Sequence, residues 1–169
     1  AIGAGIGVGG GALIAISMGR RREALAQRIL GAMVFLMVAA SALSSLLLTP
    51  LAEYLLTFYD VSPEIAGMAR LYAWILIISS PAQVVTMAML GAVRNDGFPR
   101  KAMFIMIAAF GTNIVLDWLW VIVFPFGIAG AAWATAASQT VSAVLLSAHF
   151  LLGMSKVRLR ARLVRPWRP

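Results

Sequence analysis

The sequence predicts an all-α fold: a polytopic membrane helical bundle of about five transmembrane helices. Two observations lead there. Hydrophobic residues make up 62% of the 169 positions and charged residues only 12%, with mean hydropathy +0.92. A soluble domain of this size needs roughly a quarter charged residues to cover its core with a wettable surface, and a disordered chain needs low hydrophobicity. The second observation is the arrangement of the apolar residues. They form five stretches near the ~20 residues that a bilayer core demands of a helix, at about 1–18, 25–50, 65–93, 102–124 and 127–152.

The first stretch is short and rich in glycine, with no basic segment ahead of it to make a signal peptide. The second runs apolar to Pro50. The third contains Pro81, which kinks a membrane helix rather than ending it when a neighbour satisfies the freed carbonyl. The fourth and fifth are separated by the uncharged turn Pro125-Phe126-Gly127. Residues 1–153 therefore read as a transmembrane bundle. Residues 154–169 read as a basic cytoplasmic tail or inter-lobe linker, alternating Lys and Arg with Val, Leu and Ala to form a segment suited to lipid headgroups.

Loop charge supplies an independent check on the span count. Arg20, Arg21, Arg22 and Arg28 follow the first stretch, and Arg94, Arg100 and Lys101 follow the third. Six more basic residues, Lys156 to Arg168, follow the fifth. The segment 51–64 holds Glu53, Asp60 and Glu64 and no basic residue. Alternating spans place 13 of the 14 Lys and Arg on one side, with Arg70 the exception, as expected when basic loops stay in the cytoplasm. Residues 19–28, 94–101 and 154–169 are then cytoplasmic, and a multi-pass cell membrane protein is expected. The net charge of +8 serves topology, so nucleic acid is not an expected partner. An external beginning at an Ala leads us to expect one further helix upstream, completing a bundle of six.

Chemistry is confined by what is scarce. Cysteine is absent and histidine occurs once, as His149 near the inner end of the last stretch, where it reads as an interfacial residue. An intramembrane enzyme would need a nucleophile with a base or a metal set, so none is expected and no cofactor is implied. The formal G-x-G-x-x-G at Gly5, Gly7 and Gly10 has no strand before it and marks no dinucleotide site. Gly3, Gly7 and Gly11 instead give a helix a smooth face for close packing or sliding.

Asp117 is the informative charge. An ionisable side chain inside a span costs about 2.5–3.5 kcal/mol on insertion scales and marks function by default. Asn113 lies one turn earlier on the same face. Seven residues from the outer end near Phe124, Asp117 sits ~10 Å inward at helical rise, and Thr135 lies equally deep in the next stretch. A carboxylate with amide and hydroxyl oxygens suits a hard cation or an exchangeable proton. The plainer alternatives are a snorkelling carboxylate and a helix–helix hydrogen bond. Ser138 and Gln139 one turn deeper, and Gln83 and Thr86 beyond Pro81, could line a polar cavity or serve as interhelical glue.

The stretch Arg94-Asn-Asp-Gly-Phe-Pro, then Asn113-Ile-Val-Leu-Asp117, then Gly127-Ile-Ala-Gly-Ala-Ala-Trp-Ala-Thr135 resembles the multidrug and toxic compound extrusion (MATE) family. Ile16-Ser-Met-Gly-Arg20 is similar to that family's second helix end and first cytoplasmic loop. The resemblance covers the whole chain as helices two to six of the amino-terminal lobe in a twelve-helix, two-lobed transporter. It implies export of drugs or organic cations by alternating access, driven by Na⁺ or H⁺ bound at Asn113, Asp117 and Thr135. It also implies that the first helix, with its Asp, and the second lobe lie outside this chain. A lipid-linked-oligosaccharide flippase of related architecture would need several cationic residues in its cavity, which these spans do not supply. A non-transporting packing or assembly module is the remaining alternative.

Overall fold

A computed structural model describes residues 2–58, 62–152 and Ser155. Five helices follow one another: α1 (Ile2–Gly19), α2 (Glu23–Phe58), α3 (Pro63–Asn95), α4 (Pro99–Asp117) and α5 (Gly127–Leu151). A π-helical turn, Trp118–Val123, continues α4 toward the last loop. Four spans meet both the length and the hydropathy needed to cross a membrane: α1, α2, α3 and α4 with its π turn. The fifth expected span, α5, is long enough at 25 residues but is not among the four that reach that hydropathy. Its Ala, Ser, Thr and Gly fit a helix packed among helices, where small residues let backbones approach.

Helix α3 is the hub, packed against the other four, and α5 lies between α3 and α4. Close approach is what makes α3 central. A Cβ at Gly7 of α1 would lie 2.7 Å from the Ala88 carbonyl oxygen, and one at Gly91 would lie 2.6 Å from the Gly7 carbonyl carbon. The smooth face expected on α1 is therefore a backbone-to-backbone seam with α3. The main core holds Ile14, Leu30, Met33, Met37, Met89, Val93, Leu146 and Phe150, at the end that carries the basic turns. A much smaller cluster of Ile75, Ala132 and Ala136 serves the other half. Phe104, Ile107, Phe110, Ile114 and Ile122 are exposed along the far side of α4 and its π turn, the surface a lipid would wet.

Both internal prolines lie inside helices. Pro81 has no N–H to give the Ile77 carbonyl, and the Ser45 hydroxyl of α2 donates to it instead, its Oγ 3.4 Å from that oxygen and 3.1 Å from Ser80 Oγ. Pro50, expected to end the second span, is likewise interior, and α2 runs on to Phe58. In an apolar solvent each unpaired backbone group is costly, so a helix resumes after a proline rather than dissolving into loop. That extension carries Glu53, which accepts two hydrogen bonds from Arg70 Nε (3.0 and 3.2 Å) and one from Nη2 (3.0 Å). The one basic residue outside the basic loops is thus neutralised by a forked ion pair between α2 and α3. The expected basic tail, apart from Ser155, lies outside the described residues.

Candidate cation site between the fourth and fifth helices

The helical register of α4 puts Asn113 and Asp117 one turn apart, both partly buried, in its last two turns. Directly beyond Asp117 the winding widens. Phe124 N–H reaches back five residues to the Leu119 carbonyl at 2.9 Å, and Phe126 N–H to Trp120 at 2.8 Å. The sequence led us to expect one regular helix to Phe124; the π turn departs from that, and such turns concentrate at functional sites. Its backbone is drawn close to α5, because Gly130 has no Cβ to meet the Trp120 carbonyl, which would lie 2.8 Å away.

Among the described residues, three side-chain atoms are buried without a hydrogen-bond partner: Asn113 Nδ2, Asp117 Oδ1 and Gln139 Oε1. They stand on the two helices, α4 and α5, that pack on each other. An unmet buried polar group costs about 1–3 kcal/mol and calls for an explanation such as a water or an ion. Thr135, one turn from Gln139, donates its hydroxyl hydrogen to the Ala131 carbonyl at 3.1 Å, which leaves its oxygen lone pairs able to accept or coordinate. Carboxylate, amide and hydroxyl oxygens fit a hard monovalent cation, and the carboxylate fits a proton. No group of three or more His, Cys, Asp or Glu occurs among the described residues.

The residues expected to line a polar cavity divide. Thr86 is fully buried and donates to the Gln139 carbonyl at 3.1 Å, a tie between α3 and α5. Ser138 is buried and donates to the Thr135 carbonyl at 2.9 Å. Both hydroxyls are thus tied to backbone carbonyls of α5. Gln83 is exposed on α3, and Gln139 Oε1 is one of the unpartnered buried atoms.

A family profile, MatE, matches residues 1–119, more than half of the chain. The chain belongs to the MATE family. Its MATE relatives include the multidrug export protein MepA of Staphylococcus aureus, 22% identical over 160 residues, which cover 95% of this chain and 36% of that protein. MepA of Staphylococcus saprophyticus is 27% identical over 103 residues, 61% of this chain. The chain superimposes on a multidrug resistance MATE transporter in its inward-facing conformation with a TM-score of 0.91 and 26% identity. An outward-facing structure gives 0.89 and 27%; each comparison covers 99% of this chain and 38% or 37% of the other. The chain thus spans little more than a third of the length of the relatives it matches.

One cluster in this MATE chain escaped sequence reasoning. His149 is not interfacial: it is completely buried, with Nε2 2.8 Å from Asp96 Oδ2 and Nδ1 3.1 Å from Lys101 Nζ. Phe98 and Phe150 meet the imidazole edge-on, at centroid distances of 4.9 and 5.1 Å. Gly97, at φ +94°, allows the tight turn that folds Asp96 inward. The signal was the pairing of two motifs, Asp96 in the basic turn and His149 at the end of α5. Nothing in their spacing of 53 residues announces contact.

Proposed function

We propose that this MATE chain forms part of one lobe of a cation-coupled transporter that exports drugs or organic cations by alternating access. The observation that carries the reading is the pair of unpartnered buried oxygens, Asp117 Oδ1 and Gln139 Oε1, on two helices that pack on each other. Asp117 takes up Na⁺ or H⁺, with Asn113 and Thr135 assisting and Gln139 offering a further oxygen. Neutralising a buried carboxylate changes what its surroundings can bind, so cation occupancy disfavours the drug in the same lobe. Coupling needs only that cation and drug have different affinities for the inward-open and outward-open states. The similar likeness to inward-facing and outward-facing relatives, TM-scores 0.91 and 0.89, supports a lobe that moves largely as a rigid body between them.

The proposal extends to topology: the turns at 19–28 and 94–101 and the tail at 154–169 face the cytoplasm, in a multi-pass cell membrane protein. The chemistry is transport, with no enzymatic step and no cofactor beyond the coupling ion. The missing first helix and second lobe would be supplied by the rest of the polypeptide. A flippase reading finds no support, since Arg70, the basic side chain outside the basic turns, is paired with Glu53. Ethidium or norfloxacin efflux from cells expressing the full-length gene product tests the reading. Export should depend on an inward Na⁺ or H⁺ gradient and be lost in Asp117→Asn; export that survives this substitution removes Asp117 from the mechanism.

A further inference from the structure

The Arg70–Glu53 fork lies in a shallow cleft between α2 and α3, walled by Thr49, Ala73, Trp74 and Ile77. With 36 and 33 residues these helices are ~54 and ~50 Å long, well beyond the ~30 Å of a hydrocarbon core. Glu53 is five residues from the end of α2 and Arg70 seven from the start of α3, ~8 and ~10 Å inward. The pair therefore stands at headgroup depth, at the end opposite the basic turns, and the cleft runs from it toward the acyl chains. The exposed face of α2 has the composition of a lipid surface: Leu46, Leu47, Leu51 and Leu55 are all exposed. The close helix–helix contacts are made instead by glycines such as Gly7, Gly91 and Gly130.

We propose that this cleft binds a phospholipid with a primary-ammonium headgroup, its phosphate on Arg70, its ammonium on Glu53 and an acyl chain along Trp74. The hydrogen bonds within the pair use the Nε hydrogen and one on Nη2 of a guanidinium that has five. The Arg70 side chain stays 49% exposed and that of Glu53 42%. Donors and carboxylate lone pairs therefore remain side by side at the surface. A headgroup carrying both charges adds a charge-assisted hydrogen bond at each end of the pair. An anionic headgroup would gain Arg70 and meet the like charge of Glu53. A choline headgroup has no N–H to give the carboxylate and depends on aromatic enclosure instead. Tyr54 and Phe58 do not enclose a cation: their rings stack at 6.1 Å and 24° along one helix.

A bound headgroup would bridge the outer halves of α2 and α3, where the apolar core is thin. The main core lies at the basic end, and Ile75, Ala132 and Ala136 form only a small cluster in this half. Occupancy of the cleft needs only that the chain lie in a bilayer, and it is measured without transport or cation binding.

The experiment measures quenching of Trp74 fluorescence by lipids with dibrominated acyl chains, in the full-length protein reconstituted in phosphatidylcholine vesicles. The Trp74 share is the difference between the parent and Trp74→Phe. Brominated phosphatidylethanolamine should bind the cleft about 3- to 10-fold more tightly than brominated phosphatidylcholine or phosphatidylglycerol, the worth of one net hydrogen bond. Glu53→Gln should lose that preference and turn to phosphatidylglycerol, since Arg70 is left without its carboxylate. In the parent, N-methyl and N,N-dimethyl headgroups, each with fewer N–H donors, should fall stepwise between ethanolamine and choline. That series decides the matter if Glu53→Gln fails to assemble. Trp74 quenched equally by all three headgroups, or by none, overturns the proposal. So does a parent preference for phosphatidylglycerol or phosphatidylcholine, or an ethanolamine preference that persists in Glu53→Gln.

Discussion

At Asp117 the cost of burying a carboxylate is visible in the structure, and the proposed cation binding would offset it. Its Oδ1 has no hydrogen-bond partner, and neither have Asn113 Nδ2 and Gln139 Oε1. Losing a charged ligand is worth about 1.5–3 kcal/mol, or roughly a 10- to 150-fold loss of cation affinity for Asp117→Asn. Gln139→Ala removes a neutral oxygen, and the expected loss is smaller, about 2- to 10-fold. Cation-dependent quenching of Trp118 and Trp120, or radiolabelled Na⁺ binding to the purified protein, would rank the two. Equal affinity in Gln139→Ala and the parent would leave that amide outside the site. Asp117, Asn113 and Thr135 were legible one at a time, because an acid in an apolar run and a four-residue spacing are local facts. Gln139 was legible only as a polar residue in a span. The burial of its unpartnered oxygen arises from the packing of α5 among its neighbouring helices.

Among the elements, α1 and α3 make the sharpest statement about packing. Gly7→Leu drives a side chain into the Ala88 backbone, 2.7 Å from a single added Cβ, where no rotamer can yield. Overpacking of this kind costs about 1–3 kcal/mol, so a clear fall in the melting temperature of the purified protein is expected. Gly5→Ala meets nothing within 4 Å and should leave that temperature unchanged or slightly higher. If both behave alike, the seam is not what holds α1 in place. Ser45→Ala leaves the Ile77 carbonyl, already deprived of its helical partner by Pro81, without the hydroxyl that α2 provides. A loss of about 0.5–2 kcal/mol is expected, read in the same melting measurement. Helix ends were less legible than helix existence. Pro50 reads as a stop in water, yet α2 continues to Phe58 because a bilayer leaves an unpaired backbone nowhere to turn. The π turn beyond Asp117 had no sequence signature, since its winding answers to the contact between Trp120 and Gly130.

For the whole molecule, charge asymmetry sets orientation and packing sets where the lobe is firm. The chain has no cysteine, so single cysteines report topology directly. A membrane-impermeant thiol reagent should label Phe124→Cys in intact cells and Arg100→Cys only after the membrane is opened. Labelling of Arg100→Cys in intact cells would invert the topology. Composition and loop charge alone determined the solvent, the all-α class, the number of long apolar segments and the gathering of the basic turns at one end. These follow from the free energy of placing each residue in oil or water, summed over a segment, and need no neighbour. Tertiary structure alone decided that α3 is the hub and that Arg70 is answered by Glu53. It also decided that Thr86 and Ser138 bond backbone carbonyls of α5, and that His149 is sealed between Asp96 and Lys101. Each of these depends on which helix faces surround a polar atom. A hydrogen bond between residues 53 positions apart is settled by that geometry, which a one-dimensional pattern does not contain.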